Sequence, residues 1–323
     1  MSDVPTLRTL LSEYPNTRAL RSGALAPTGF NFAFDPVKVA NRAFKRAVRE
    51  LEFDVAELAL VTYFQARAYG KPLALLPAVV GAGRFQHHCL VYNAERPRVS
   101  VANLAGKRIG IRAYAQTTVT WVRGVLSDDY GVPLERVHWV TFEDGHLAEY
   151  ADPAGVERAP AGKAMVEMLL AGELDAAIIG TELPDDPRLQ PVLPDPHAAA
   201  QAWSTRHRML PINHMVAVST ALCRERPALV RELYALLLAS KQQAGASTTP
   251  DLNADLTPDL TPYGVEPNRR ALDLLARYSH EQGLIPHPIS TEELFDEFYR
   301  LFPDQFPDQF PAQCPAQSPD QRP

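Results

Sequence analysis

Residues 107–130, KRIGIRAYAQTTVTWVRGVLSDDY, change period midway. Arg108 to Tyr114 read as a short strand, and from Gln116 onward Val119, Val122, Val125 and Leu126 recur at helical spacing. The same passage recurs on both sides. Upstream, FDVAELALVTYF (53–64) carries Val55, Leu58 and Leu60 into a helix that the pattern starts at Thr62. PLALLPAVV (72–80) and HHCLVYN (87–93) are β-prone runs, and Pro36–Leu51 places Val37, Ala40, Phe44, Ala47, Val48 and Leu51 on one helical face. Downstream, VHWVTF (137–142), DAAIIG (175–180) and INHMVAVST (212–220) read as strands. KAMVEMLLAGEL (163–174), ending near Gly172, and the stretches 226–244 and 267–283 read as helices. Strands alternating with helices predict α/β layers.

The chain has 323 residues, enough for about two compact units. Lys and Arg number 32 against 38 Asp and Glu, a net charge of −6, which argues against a nucleic-acid partner. No apolar run approaches the ~20 residues of a spanning helix, so no membrane partner is expected. The first residues lack a basic region followed by an apolar stretch of about 7–15 residues, and a cytoplasmic location is the corresponding expectation. Cys89, Cys223 and Cys314 are far apart and read as reduced thiols. Residues 303–323, built on PDQF, PDQF, PAQC, PAQS and PDQR, place Pro at every fourth position and are expected to form a disordered tail. Thr248–Gly264 reads as a loop on composition.

No Gly-rich nucleotide fingerprint, P-loop, GxSxG elbow or HExxH helix is present, so no cofactor is expected. The Tyr114–Thr118 turn is a different signal. A helix start offers free N–H groups and a positive dipole end to a carboxylate or phosphate, although Thr117 or Thr118 could equally serve only as a cap. His87 and His214 each stand at the head of an apolar strand, where an imidazole can deliver a proton at neutral pH or simply be structural. A metal site joining His87, His88 and His214 is disfavoured, because neighbours on a strand face opposite ways, and no metal is expected. Arg18, Arg84 and Arg123 can each grip a carboxylate through paired hydrogen bonds or sit in a surface ion pair. Glu57 lies in an apolar strand and, if buried, needs a partner.

The blocks EFDVAELALVTYFQARAYGKP (52–72), RFQHHCLVYN (84–93), GKRIGIRAYAQTTVTWVRG (106–124), PINHMVAV (211–218) and PYGVEPNRRALDLLARYSHEQGLIP (262–286) resemble the 4,5-dihydroxyphthalate decarboxylase family. The resemblance runs in order from about residue 15 to 298 and leaves the tail outside. It implies a two-lobed type II periplasmic-binding-protein-like fold, with two crossover strands and a ligand cleft between the lobes. Residues 1–98 and 206–302 would form one lobe and 99–205 the other. It also implies a cofactor-independent aromatic-acid decarboxylase whose partner is a small aromatic carboxylate. His87, His214 and Glu57 would then be catalytic, and Arg18, Thr62, Tyr63, Arg84, Tyr114, Thr117, Thr118 and Arg123 would bind substrate. The same lobes serve solute-binding proteins without catalysis, which is the alternative. This chain has Phe85-Gln86-His87-His88 where many relatives show Phe-Arg-His-Ser. It has Arg112-Ala113-Tyr114 where they often read Pro-Glu-Tyr, so the carboxyl-gripping arginine is expected at Arg84 or Arg112.

Overall fold

The computed structural model describes residues 4–180, 183–245 and 259–306. Its strands are β1 (Thr6–Leu10), β2 (Asn31–Phe34), β3 (Val55–Ala59), β4 (Leu73–Val79), β5 (Leu90–Asn93), β6 (Arg108–Ile111), β7 (His138–Thr141), β8 (Glu157–Arg158), β9 (Ala176–Ile178), β10 (Leu189–Pro191) and β11 (His214–Ser219). The helices are α1 (Arg18–Arg21), α2 (Leu60–Ala68), α3 (Thr117–Tyr130), α4 (Met165–Ala171), α5 (Pro196–His207), α6 (Thr220–Glu225), α7 (Pro227–Ala244), α8 (Val265–Glu281), α9 (Thr291–Leu294) and α10 (Asp296–Leu301). None of the described helices is long and apolar enough to cross a membrane.

Two sheets divide these strands, in the orders β2-β1-β3-β11-β4 and β10-β5-β9-β6-β7-β8. In the first, β1, β2 and β3 are parallel, and β11 inserts antiparallel between β3 and β4. In the second, β6 is parallel to β7 and β9, and β5 is antiparallel to β9 and β10. The chain thus leaves the first sheet after β4 and returns to it at β11. Strand β5 pairs wholly within the second sheet, ahead of position 98. Pro77 lies in β4, which is an edge strand, and the β11 register slips between Met215 and Ala217 beside it. An edge and a bulge are where a residue without an N–H is tolerated.

Period-two alternation separates the two faces of the second sheet. Ala176 and Ile178 join the large core shared with the first sheet, whereas Ala177 and Ile179 join a smaller cluster with Val140, Met168 and Leu169. Helix α7 buries Val230, Leu233 and Leu237 along one stripe, as its spacing predicts. Gly172 closes α4 in the left-handed conformation, with φ +78°.

Four local expectations are corrected. The helix read from Pro36 begins only at Ala40, whose N–H donates to Ser12 Oγ, and it widens to a π turn at Arg46–Glu50. Helix α2 starts at Leu60 rather than Thr62. His87 and His88 precede β5 instead of opening it, because Cys89 N–H turns back to the Gln86 carbonyl. The first tail unit is ordered: Pro303–Gln305 form a 3₁₀ turn and the Phe306 ring packs 5.0 Å from that of Tyr299. The remaining repeats, Cys314 and most of Thr248–Gly264 lie outside the described residues.

The long helices α3 and α8 meet at Gly124, where an added Cβ would lie 2.2 Å from the Tyr278 ring. That ring cannot swing away freely, since Trp121 packs edge-on against it and its hydroxyl donates to Asp128. Alanine at 124 gains helix propensity of about 1 kcal/mol but overpacks by about 1–3 kcal/mol. Gly124→Ala is therefore expected to lower the urea midpoint, with a net loss of up to about 2 kcal/mol.

Candidate functional site

Five segments that follow parallel strands open onto one cleft of about 660 Å³. From the first sheet come Tyr14, after β1, and Ala59 and Thr62, at the end of β3. From the second come Arg112 after β6, Phe142, Glu143 and His146 after β7, and Ile179 and Gly180 after β9. Side chains beyond the carboxyl ends of parallel strands are free of the sheet and converge where lobes meet. The two crossing segments complete the walls with Val80, Gly81, Ala82 and Arg84 on one side and Asn213 and His214 on the other. Gly81 turns the first crossing with φ +69°, where a Cβ would also press 3.2 Å from the Tyr14 ring.

Glu57 anchors the floor. It is fully buried in β3, opposite Val216 of β11. One carboxylate oxygen accepts the Tyr14 hydroxyl at 2.6 Å and His214 Nδ1 at 2.7 Å, and the other accepts Ser12 N–H at 2.9 Å. Burial pushes this carboxyl up, but bonds from His214, Tyr14 and Ser12 outweigh it and hold the group below the usual carboxylate range. Glu57 is therefore the charged acceptor. A carboxylate can only accept, so His214 Nδ1 is the donor and its Nε2 is the ring atom left for a ligand. The Tyr14 phenol is pushed well above its ordinary value by burial and by the Glu57 charge.

A second imidazole shares this wall. The Phe44 ring makes edge contacts with His214, centroids 5.5 Å apart, and with His146, 5.3 Å apart. His146 Nδ1 lies 2.7 Å from Thr62 Oγ1. Burial, reinforced by Arg112, Lys45, His214 and Arg49, pulls the His146 pKa down to about 3, so this ring is neutral at pH 7. Its loop is pinned to the first sheet's side of the cleft. Arg49 donates to the carbonyls of His146 and Gly145 at 2.6 and 2.9 Å, and Lys71 pairs with Glu149 at 2.6 Å.

The remaining polarity suits an anion. Helix α3 begins in the cleft wall at Gln116, Thr117 and Thr118 with no side chain capping it. Thr117 instead caps the neighbouring helix: its Oγ1 accepts Val61 N–H at 3.2 Å, while the Asn213 carbonyl accepts Leu60 N–H at 2.8 Å. That explains why α2 needs no capping side chain of its own. Thr118 Oγ1 accepts from Asn213 Nδ2 at 3.4 Å. Two arginines face this corner. Arg84 makes no ion pair among the described residues, and Gly180 leaves room for its guanidinium, 3.2 Å from where a Cβ would stand. Arg112 Nε is buried without a hydrogen-bond partner, and its nearest carboxylate, Glu143, is 3.9 Å away.

Of the residues singled out from sequence, the structure brings together His214, Glu57, Thr62, Arg84, Arg112, Gln116, Thr117 and Thr118. The others lie elsewhere. His87 is 4 % exposed, with neither ring nitrogen bonded, among Leu90, Val122 and Leu126 beside Trp203. Arg18 is an exposed partner of Glu13. Tyr63 is sealed in the core, its hydroxyl directed to the carbonyls of Leu73 and Leu294. Arg123 is buried, donates to the Tyr114 carbonyl at 2.7 Å and stacks 3.7 Å over the Tyr114 ring, so each occupies the other behind the cleft wall. Sequence reasoning missed Tyr14, His146 and Asn213. All three stand just past a strand or on a crossing, and the strand-end rule would have drawn attention to His146, after VHWVTF. Among the described residues, no three His, Cys, Asp or Glu side chains are placed to hold a metal ion.

Two lobes, a cleft at their strand ends and two crossings define a type II periplasmic-binding-protein-like fold. Solved structures of similar shape include the aliphatic sulphonate-binding protein of Escherichia coli, with a TM-score of 0.54 and 12% identity, covering 91% of this chain and 98% of that one. A sulfonate-binding protein of Methylobacillus flagellatus gives 0.55 and 10% identity, over 94% and 96%. At sequence level no family model matches. A 4,5-dihydroxyphthalate decarboxylase of Pseudomonas putida is 32% identical over 208 residues, 60% of this chain and 79% of that protein. One of Comamonas testosteroni is 29% identical over 316 residues, 88% and 94% respectively. The chain belongs to the 4,5-dihydroxyphthalate decarboxylase family.

Burial pulls the His87 pKa down to about 4, with His88 and Arg206 adding repulsion. In the unfolded chain it returns to about 6.5. Its neutral burial therefore contributes in full above pH 6.5 and is lost as pH falls from there through about 4, a cost of ~3 kcal/mol. His87→Leu should flatten this part of the stability profile in urea titrations between pH 7 and 4. An unchanged slope would show that His87 is solvated.

Proposed function

We propose that this protein decarboxylates 4,5-dihydroxyphthalate, or a closely similar aromatic dicarboxylic acid, to a protocatechuate-type product and CO₂ without a cofactor. The observation that carries the reading is the His214–Glu57 pair, a proton donor oriented by a buried carboxylate, in the same cleft as Arg84, Arg112 and an uncapped helix start. The naming of both relatives is in accord with it. Residues 4 to about 80 and from about 214 are taken as one lobe, and the second-sheet segment between them as the other.

The chemistry needs little beyond positioning. Each carboxyl of this substrate is para to a hydroxyl, so the ring itself supplies the electron push. Protonation of the carbon bearing the leaving carboxylate, by Nε2 of His214, breaks aromaticity. Cleavage of the carbon–carboxylate bond returns its electron pair to the ring and releases CO₂. Glu57 stabilises the imidazolium before transfer, and Tyr14 shares that carboxylate. Arg84, Arg112 and the first turn of α3 hold the carboxylates, since guanidinium pairs match their geometry. Water excluded from the closed cleft strengthens each of these contacts.

The direct test incubates the chelator-treated protein with 4,5-dihydroxyphthalate and follows CO₂ and 3,4-dihydroxybenzoate. Turnover is expected, with His214→Asn and Glu57→Gln each reducing kcat by ~10²–10⁴-fold. Arg84→Gln and Arg112→Gln should act mainly on KM, by about tenfold or more each. A ligand bound and returned unchanged would instead mark a binding protein.

A further inference from the structure

We infer that His146 is a second catalytic residue of this cleft: the base that takes the proton from the ring hydroxyl para to the departing carboxylate. Arg49 is the positioning residue that holds it there. The inference rests on the decarboxylase reading and assigns a step that reading leaves open. The para oxygen must become negative for the ring to accept a proton at carbon, and His214, committed to Glu57 as a proton donor, cannot also be the acceptor.

The geometry supplies the acceptor. His146 and His214 each pack nearly perpendicular to the Phe44 ring, and all three residues line the cleft, so the two imidazoles share one stretch of its wall. In the tautomer this role requires, Nδ1–H donates to Thr62 Oγ1, 2.7 Å away, and Nε2 carries the lone pair. The charged groups around it are Lys45, Arg49, Arg112 and His214, with Glu143 on its own loop. Burial and this predominantly cationic surrounding keep the ring unprotonated in the empty cleft, and a bound dicarboxylate, by offsetting the arginine charge, raises its affinity for a proton. The cationic surrounding also favours the phenolate that proton removal creates. Arg49 is not among the residues that line the cleft. Its guanidinium grips the backbone at Gly145 and His146 from the other lobe, so closure and placement of the base are one event.

The steps balance. The hydroxyl O–H bond breaks and its proton passes to His146 Nε2. The oxygen's electron pair moves into the ring, and the para carbon takes a proton from His214 Nε2. The carbon–carboxylate bond then breaks, its electrons restore the aromatic phenolate, and CO₂ leaves. The proton on His146 returns to the oxygen, and one solvent proton recharges His214.

The experiment compares wild type, His146→Ala, His146→Gln, Arg49→Gln and Arg49→Lys on 4,5-dihydroxyphthalate, with binding followed separately by calorimetry. Both His146 variants should lose ~10²–10⁴-fold in kcat while still binding. Their residual rate should rise relative to wild type with pH, by about tenfold per unit, because solvent must now ionise the hydroxyl. Arg49→Gln should show the same pH signature with a smaller loss, and Arg49→Lys should recover part of it. Wild-type turnover with His146 variants of normal kcat, or slowed with an unaltered pH dependence, overturns this assignment alone. Failure of wild type to release CO₂ overturns the decarboxylase reading and the assignment with it.

Discussion

A carboxylate enclosed in a β-sheet must be matched by donors or give up its charge, and Glu57 is matched from three directions. Ser12 reaches it from the segment after β1, Tyr14 from the same segment two residues on, and His214 from the strand that returns after the whole second sheet has been built. The donors come from two stretches of chain far apart in sequence. The charge at Glu57 therefore couples the register of β11 on β3 to the path leaving β1, and it sets which nitrogen of His214 looks outward. Replacing such a network by apolar residues need not weaken a fold. Keeping it makes sense where the outward nitrogen has work to do.

Around that floor the walls follow from topology. Strands β1, β3, β6, β7 and β9 all release the chain toward the cleft, and α2 and α3 begin there with their caps supplied by the opposite lobe or left open. The result is a pocket that a helix start faces with its positive end, and Arg84 and Arg112 add formal charge to the lining. An overall charge of −6 does not contradict this, because the field inside a cleft is set by the groups that face it rather than by the sum over the surface.

The fold was largely legible. Short apolar, β-prone runs located β3, β4, β6, β7, β9 and β11, because these strands are buried on both faces, and the stripe spacing located α3, α7 and α8, because each of these helices packs an apolar stripe into the core. The errors have local causes. Helix α2 begins earlier than its polar residue suggests because Asn213 and Thr117, distant in sequence, take its first amides. His87 and His214 look alike in sequence, each heading an apolar run. The first falls in a turn whose ring is enclosed by Leu90, Val122 and Leu126, and the second stands on a strand whose neighbour carries a carboxylate.

Amino-acid order alone determined the inner strands and the long helices α3, α7 and α8, though not β1, β2, β10 or α5, and that Glu57 would sit in an apolar strand and need a partner and Thr117 and Thr118 would open a helix. Periodicity and composition carry that information residue by residue. Which histidines meet was decided only in three dimensions. His146 enters the cleft because its loop follows a parallel strand and is clamped by Arg49 from the other lobe, and Arg123 is lost to it because its guanidinium is stacked on Tyr114. Contacts between residues far apart in sequence leave no periodic trace in the chain, and they are what gave this cleft its chemistry.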